Sequence, residues 1–405
     1  MPGATDDLLA SFARTTDEIV TLEELKTKLR SGRKLRIKYG VDVTAPFLHI
    51  GHAVNLWMMR EMQEAGHVVI FLIGDFTTRV GDPTGRSESR PVIPAAEIEA
   101  NAAAFIDQVA AVLRTDPGVF EIRRNSEWWE SMTVGELMPL LSLVTHGRLV
   151  SRDMFQRRIA EGAEIHMHEF LYPVLQGYDS YMLGSDLTIV GTDQLFNEMM
   201  GRHYQSRLGQ DPQVVITTRI TPGIDGGEKQ SKSIGNYIAL AHSPRDKFGR
   251  AMSIPDHLIV PYLEVYTAVP TPRVEEVRAG LEDRSLHPME AKRFLARELV
   301  ARYHGEQVAR AEDEWFTGTF SRHELPRNVP VVTVGEDATL FDVLVAGLAG
   351  TSRNEIRRLL AAGSISVDGE RALAGDEVPR EGAIVRVGKR RFLEVRHRAA
   401  TDLPG

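Results

Sequence analysis

The stretch HVVIFLIGD, residues 67–75, limits the fold more than any other part of the chain. Its apolar run has the length of a strand buried on both faces. It follows directly on IGHAVNLWMMREMQEAG, residues 50–66, whose apolar spacing and closing Gly66 predict a helix. Before that helix, LRIKYG (35–40) reads as a short strand ending at Gly40, followed by a turn-rich VDVTAPFLH. Strand, helix and strand in so short a span make a βαβ unit with a right-handed crossover. The buried-strand signature returns in DLTIVG (186–191) and QVVITTRI (213–220), with a helical pattern between them. A parallel sheet therefore resumes after an interruption.

That interruption is mostly helical in pattern, and predicts an insertion over about 86–172 joining two halves of one nucleotide-binding sheet. The expected fold class is α/β, a Rossmann-type parallel sheet with a helical insertion over residues 1–225. An α-helical domain at 226–325 follows, then a linker at 326–337 carrying Pro326 and Pro330. A small α+β domain closes the chain at 338–405.

A chain of 405 residues supports two or three domains, each with its own core. Lys and Arg number 48 against 56 Asp and Glu, a formal charge of −8, which argues against wholesale wrapping of nucleic acid and leaves room for a local basic patch. The absence of cysteine excludes disulfides, thiolate nucleophiles and cysteine-ligated metal centres. The acidic start lacks the pattern of a signal peptide, and no apolar run reaches membrane-spanning length, so the expectation is a cytoplasmic protein with no membrane association.

Chemistry concentrates in a few segments. In LHIGH, Leu48–His52, the histidines His49 and His52 stand three apart at a helix start, beside backbone N–H groups and the positive end of the helix dipole. That setting suits phosphate, and Gly51 between them would admit a nucleobase or ribose close to the backbone. The same letters also fit two unrelated histidines at a surface turn. In DGGEKQSKSIGN, Asp225–Asn236, Lys229 and Lys232 carry compact charges on flexible stems that can converge on a polyphosphate. Alone, the segment reads first as a solvated loop. In LYPVLQGYDSY, the spacing of Tyr172, Gln176 and Asp179 puts a phenol, an amide and a carboxylate on one helical face. Finally, residues 351–400 hold 11 Lys and Arg against 7 Asp and Glu, an excess that suits either an RNA-binding module or a solvated helix face.

Together these motifs resemble the class I aminoacyl-tRNA synthetases. LHIGH matches their first signature and Lys229-Gln230-Ser231-Lys232-Ser233 their second, with Gln230 where that family most often has methionine. Within the class, the chain is similar to the tyrosyl-tRNA synthetases. The similarity lies in the Tyr172, Gln176, Asp179 pattern, in GDPTGR (81–86), in NSEWW from Asn125 and in GTDQLFN (191–197). The tail TSRNEIRRLLAAGSISVDG resembles the S4-type RNA-binding domain that closes the bacterial enzymes, and the whole resemblance runs from about Lys34 to Val395.

The resemblance implies tyrosine–tRNA ligase activity, with L-tyrosine, tRNA(Tyr) and ATP as substrates. Mg²⁺ would arrive with the nucleotide rather than at a dedicated protein site, and the chain would form a homodimer through the insertion. It implies that His49, Gly51, His52, Arg86, Asp193, Lys229, Ser231 and Lys232 contact ATP, with His49, His52, Lys229 and Lys232 catalytic. Lys38, Gly40, Asp42, Thr77, Asp82, Tyr172, Gln176, Asp179 and Gln194 would form the tyrosine side, and Arg353, Arg357, Arg358, Lys389 and Arg390 would meet RNA. In the family, the residues matching Tyr172, Gln176 and Asp82 hold the substrate ammonium, and the one matching Asp179 accepts from the phenol. Two departures stand out: Lys38 replaces a tyrosine found in many bacterial tyrosyl enzymes, and Val43 replaces a turn proline. Tyr39 is expected to face away from the site. Lys38 and Gln230 also leave open a paralogue that activates a tyrosine analogue. A further alternative is a non-catalytic RNA-binding protein that keeps the fold.

Overall fold

The computed structural model describes residues 2–44, 46–83, 93–227, 229–230, 234–321, 329–335, 337–348, 350–368, 370–372, 378–388 and 391–397. They form two packed units, Met1–Ala309 and Arg310–Gly405.

The first unit is built on a six-stranded sheet of β1 (Thr16–Val20), β2 (Arg36–Val41), β3 (Val68–Ile73), β4 (Phe120–Arg124), β5 (Leu187–Gly191) and β6 (Val214–Thr218). The spatial order is β1-β6-β5-β2-β3-β4. All neighbours pair in parallel except β1, which runs antiparallel to β6. Every residue of β3 is buried, as its continuous apolar sequence requires. From β2 the chain winds outward to β3 and β4, then returns to lay β5 and β6 on the other side. The strand order therefore reverses between β2 and β5, and a crevice at their carboxyl ends is where ligands bind in such sheets.

Two strands of this unit escaped the sequence reading. β4 falls inside the expected helical insertion, and β1 lies in the acidic N-terminal region. Both are sheet edges with charged residues, where backbone pairing to a neighbour replaces the hydrophobic pattern that reveals a buried strand.

The expected domain boundaries also differ from the observed division. The helices Pro244–Met252, Ile259–Tyr266, Thr271–Glu282 and Pro288–His304 pack within the first unit. Arg14 ties them there, donating to the carbonyls of Leu263, Glu264 and Val269, while the Trp57 indole donates to the Tyr303 hydroxyl.

The second unit carries a sheet ordered β7-β11-β10-β8-β9, from β7 (Val331–Val334), β8 (Ile365–Val367), β9 (Glu370–Arg371), β10 (Ile384–Val387) and β11 (Arg391–His397). The helices Leu340–Gly347 and Arg353–Ala361 share its core of Leu340, Val343, Ile356, Val385 and Val395. This is the small α+β unit expected of an S4-like domain.

Candidate active site

His49 is the N-cap of the Ile50–Glu64 helix, which joins β2 to β3. Its Nδ1 accepts the Gly51 N–H at 3.1 Å, and His52 Nδ1 accepts the His49 N–H at 3.3 Å. When Nδ1 accepts, a neutral imidazole carries its proton on Nε2, so each ring offers Nε2–H as a donor. The rings lie 3.9 Å apart between centroids, at a helix N-terminus that favours anions. Gly51 has a reason beyond the expected one. A Cβ there would come within 2.9 Å of the His49 ring, so the missing side chain is what lets that ring fold over the helix start.

The lysine segment is fastened to this motif. His49 bridges Ala239 in antiparallel fashion; Ile50 N–H donates to the Ile238 carbonyl and Leu240 N–H to the Leu48 carbonyl, each at 2.9 Å. At the mouth of the loop, Asn236 Nδ2 donates to Asp225, and Pro222 bridges Lys229. Lys229 reaches Asp193 at 2.8 Å with about half its side chain exposed. Gln230 is buried: its Nε2 donates to the Tyr266 hydroxyl at 2.8 Å and its Oε1 accepts the Ile238 N–H at 3.2 Å. The Tyr266 hydroxyl also bonds Thr221. The polar residue in place of methionine thus anchors the loop through two hydrogen bonds. Arg86, Ser231 and Lys232 lie outside the described residues.

The amino-acid side of the site lies under the carboxyl ends of β2 and β3. Asp179, on the Met167–Leu183 helix, accepts at Oδ1 from the indoles of Trp128 and Trp129, both at 2.8 Å, and at Oδ2 from Asn125 Nδ2 at 3.2 Å. An ionised carboxylate has about four acceptor positions, so three donors leave room for one more, such as a phenol. Burial pushes the Asp179 carboxyl up to about 6, against these donors and the charge of Lys38. The sign follows directly. Below about pH 6 the carboxyl takes up a proton, which makes it a weaker acceptor for the phenol, so tyrosine affinity is expected to fall there and to level off above. Fluorescence or calorimetric titrations between pH 5 and 8 check this; a flat profile contradicts it.

Asp42, just past β2, accepts from the Tyr172 hydroxyl at 3.0 Å and from Thr77 Oγ1 at 2.8 Å. Asn125 Nδ2 in turn donates to Thr77 Oγ1 at 3.0 Å. Burial, and next Asp42, raise the Tyr172 phenol well above its ordinary value, so it stays a donor. Gly40 lies exposed at the end of β2. Gln194 Nε2 donates to Asp82 Oδ2 at 2.9 Å. Arg152, buried and absent from the sequence reading, has Asp82, Tyr172 and Asp193 as its electrostatic neighbours. Gln176 Nε2 donates to Glu198 Oε1 at 2.8 Å, while its buried Oε1 meets no donor among the described residues.

Lys38 is held against Glu198 and Ser180, from where its charge still acts on Asp179. Its ammonium is 1% exposed, 2.7 Å from Glu198 Oε2, and donates to Ser180 Oγ at 2.8 Å. Tyr39 faces away as expected, stacking on Phe71 in the core. Three other contributors were not singled out as site residues: Trp128, Trp129 and Asn125. The sequence signal for them was the NSEWW segment, whose two adjacent indoles converge on one oxygen.

In the second unit, Arg353, Arg357 and Arg358 are exposed on the Arg353–Ala361 helix, the first two lying over the Phe341 ring. Lys389 and Arg390 lie outside the described residues.

A family model described as "tRNA synthetases class I (W and Y)" matches residues 30–321. The chain belongs to that family. The synthetase is 46% identical over 395 residues to the tyrosine–tRNA ligase of Moorella thermoacetica, covering 96% of this chain and 95% of the relative. It is 41% identical to that of Thermotoga maritima, over 94% of this chain and 95% of the relative. Its fold resembles that of a C-terminally truncated mitochondrial tyrosyl-tRNA synthetase from Aspergillus nidulans, with a TM-score of 0.63 at 23% identity. That likeness covers 78% of this chain and 94% of the other.

Proposed function

We propose that the synthetase is a tyrosine–tRNA ligase. It activates L-tyrosine with Mg-ATP and passes the tyrosyl group to the 3′ end of tRNA(Tyr). The observation that carries this reading is the buried Asp179 carboxylate, with three N–H donors in place and one acceptor position left for a phenol. The tyrosine carboxylate, already ionised, attacks the α-phosphorus. A carboxyl oxygen–phosphorus bond forms, the bond to the bridging oxygen breaks, and pyrophosphate leaves. No general base is needed, so the protein contributes positioning and charge compensation.

His49 and His52 offer Nε2–H groups to the phosphates at the helix N-terminus. Lys229 exchanges Asp193 for pyrophosphate oxygens, joined in this proposal by Lys232, Ser231 and Arg86. Asp193 and Gln194 contact the adenylate, whereas Asp42 orients Tyr172. A ribose hydroxyl of the tRNA then attacks the adenylate carbonyl and releases AMP.

ATP–pyrophosphate exchange with tyrosine, phenylalanine, tryptophan and 3-substituted tyrosines tests the reading; exchange driven by any of them better than by tyrosine overturns it. Lys38 and Gln230, the two residues that leave a tyrosine analogue open, are both committed to internal partners.

The exposed arginines support a role for the second unit in holding tRNA. Reversing Arg353, Arg357 and Arg358 to Glu is expected to weaken tRNA charging at least about tenfold and to flatten its salt dependence. Pyrophosphate exchange, measured in parallel, should not change; equal loss of both would mean that the helix serves stability alone.

A homodimer through the insertion is part of the proposal, supported by Val134 and Met138, which are exposed four residues apart on the Val134–Ser142 helix. No helix among the described residues is long and apolar enough to cross a membrane. The proposed site of action is the cytoplasm, where tRNA is charged.

A further inference from the structure

Behind the amino-acid side of the site lies a buried polar network that the reaction does not use directly, in which Gln213 Oε1 as well as Gln176 Oε1 meets no donor among the described residues. Glu198 Oε2 takes the Lys38 ammonium at 2.7 Å and the Gln213 amide at 2.8 Å, and its Oε1 takes the Gln176 amide at 2.8 Å. Lys38 and Glu198 are 1% and 2% exposed, and Gln213 is fully buried. Gly201 leaves the room in which this network sits. A Cβ on Gly201 would stand 2.5 Å from Ser180 Oγ and 2.7 Å from Gln213 Nε2, both members of it.

An amide side chain has one accepting end and one donating end. Because Glu198 is an acceptor, it takes the NH₂ end of Gln176, which turns the carbonyl end toward the space where it meets no donor among the described residues. A buried carbonyl without a donor suits an ammonium group. Were the amide reversed, its NH₂ would face that ammonium and repel it.

We infer that Lys38 and Glu198 are positioning residues for substrate selection: the ion pair holds Glu198 as an acceptor, Glu198 fixes the orientation of the Gln176 amide, and that orientation selects substrates bearing an ammonium group. Lys38 then acts on the amino-acid end through Glu198, besides its charge effect on Asp179. The inference rests on the tyrosine–tRNA ligase reading for the identity of the amino acid, and goes beyond it in assigning the network.

The test uses the full chain, with L-tyrosine, tyramine and 3-(4-hydroxyphenyl)propionate, which lacks the ammonium. In E198Q the new amide can donate and allow Gln176 to reverse. In K38M the carboxylate loses the partner that fixes it, and its hold on the Gln176 NH₂ end is loosened. Both variants are expected to raise the KM for tyrosine and the inhibition constant of tyramine on the order of tenfold to a hundredfold. In each, kcat for pyrophosphate exchange and the inhibition constant of the desamino compound should move by less than about threefold.

A through-space charge effect would drive the two variants apart, with E198Q weakening and K38M tightening tyrosine, and that result overturns the inference. So does equal weakening of tyramine and the desamino compound, or no change in either. If a single variant does not fold, K38M/E198M replaces the buried pair by apolar groups of similar length, which such sites tolerate, and should show the same ammonium-specific loss. Wild-type exchange without tyrosine dependence would count against the ligase reading alone. The paired comparison is then made with whichever amino acid supports exchange and its desamino analogue.

Discussion

His52→Ala is expected to slow tyrosine-dependent pyrophosphate exchange by about 10²–10³-fold, the usual consequence of removing one preorganised donor from a developing charge. The KM for tyrosine should move less than about twofold, because His52 belongs to the helix start and not to the Asp179 side. The residue also has a structural duty, since its Nδ1 caps the His49 N–H, and losing such a cap costs about 1 kcal/mol. His52→Asn separates the two roles. Its side-chain oxygen can keep the cap, so thermal stability should recover while the rate remains low. A His52→Ala enzyme that exchanges at the wild-type rate would remove the histidine motif from the mechanism.

Asp179→Asn is expected to lower kcat/KM for tyrosine by about 10²–10³-fold and to leave phenylalanine activation within a few-fold. The reason is the donor set around the carboxylate. Two indole N–H groups and the Asn125 amide all point at it, so an asparagine NH₂ must face one of them and a buried donor is left unpaired. The wild-type pocket should prefer tyrosine strongly over phenylalanine, since a ring without the hydroxyl leaves the carboxylate position unfilled. That preference should collapse in the variant. The affinity step near pH 6 should vanish with it. Measuring kcat/KM for both amino acids decides the matter: an unchanged ratio would mean that Asp179 is not the hydroxyl's partner.

What could be read along the chain is what local rules govern. LHIGH sits at a helix start because the histidine can cap it, and a cap and its helix are neighbours in sequence. The buried strands β3, β5 and β6 announced themselves by continuous apolar runs. The edge strands β1 and β4 did not, because their pairing is supplied by backbone of a neighbouring strand and their charged faces look like loop or helix. The helical segment after the lysine loop was read correctly as helical, yet its membership in the first unit depends on contacts such as Arg14 with the carbonyls of residues 263, 264 and 269, some 250 positions away.

Lys38 shows the difference most clearly. As a letter in a strand it could only be compared with the tyrosine it replaces, and that comparison pointed to the ring of the substrate. The fold gives it Glu198 and Ser180 as partners, brought in by two helices packed across a glycine. Gln230 likewise read as a polar intruder among charged residues, and the structure makes it the loop's anchor to Tyr266. Residue type and short-range spacing therefore determined the buried strands and the helix start at LHIGH, because those depend on periodicity and on groups adjacent along one helix or loop, while the class of enzyme was legible only as a resemblance of motifs. Which way a buried amide points and which charge a buried lysine answers were decided only by tertiary structure, since in a desolvated interior a polar group takes its role from the partners that fold around it.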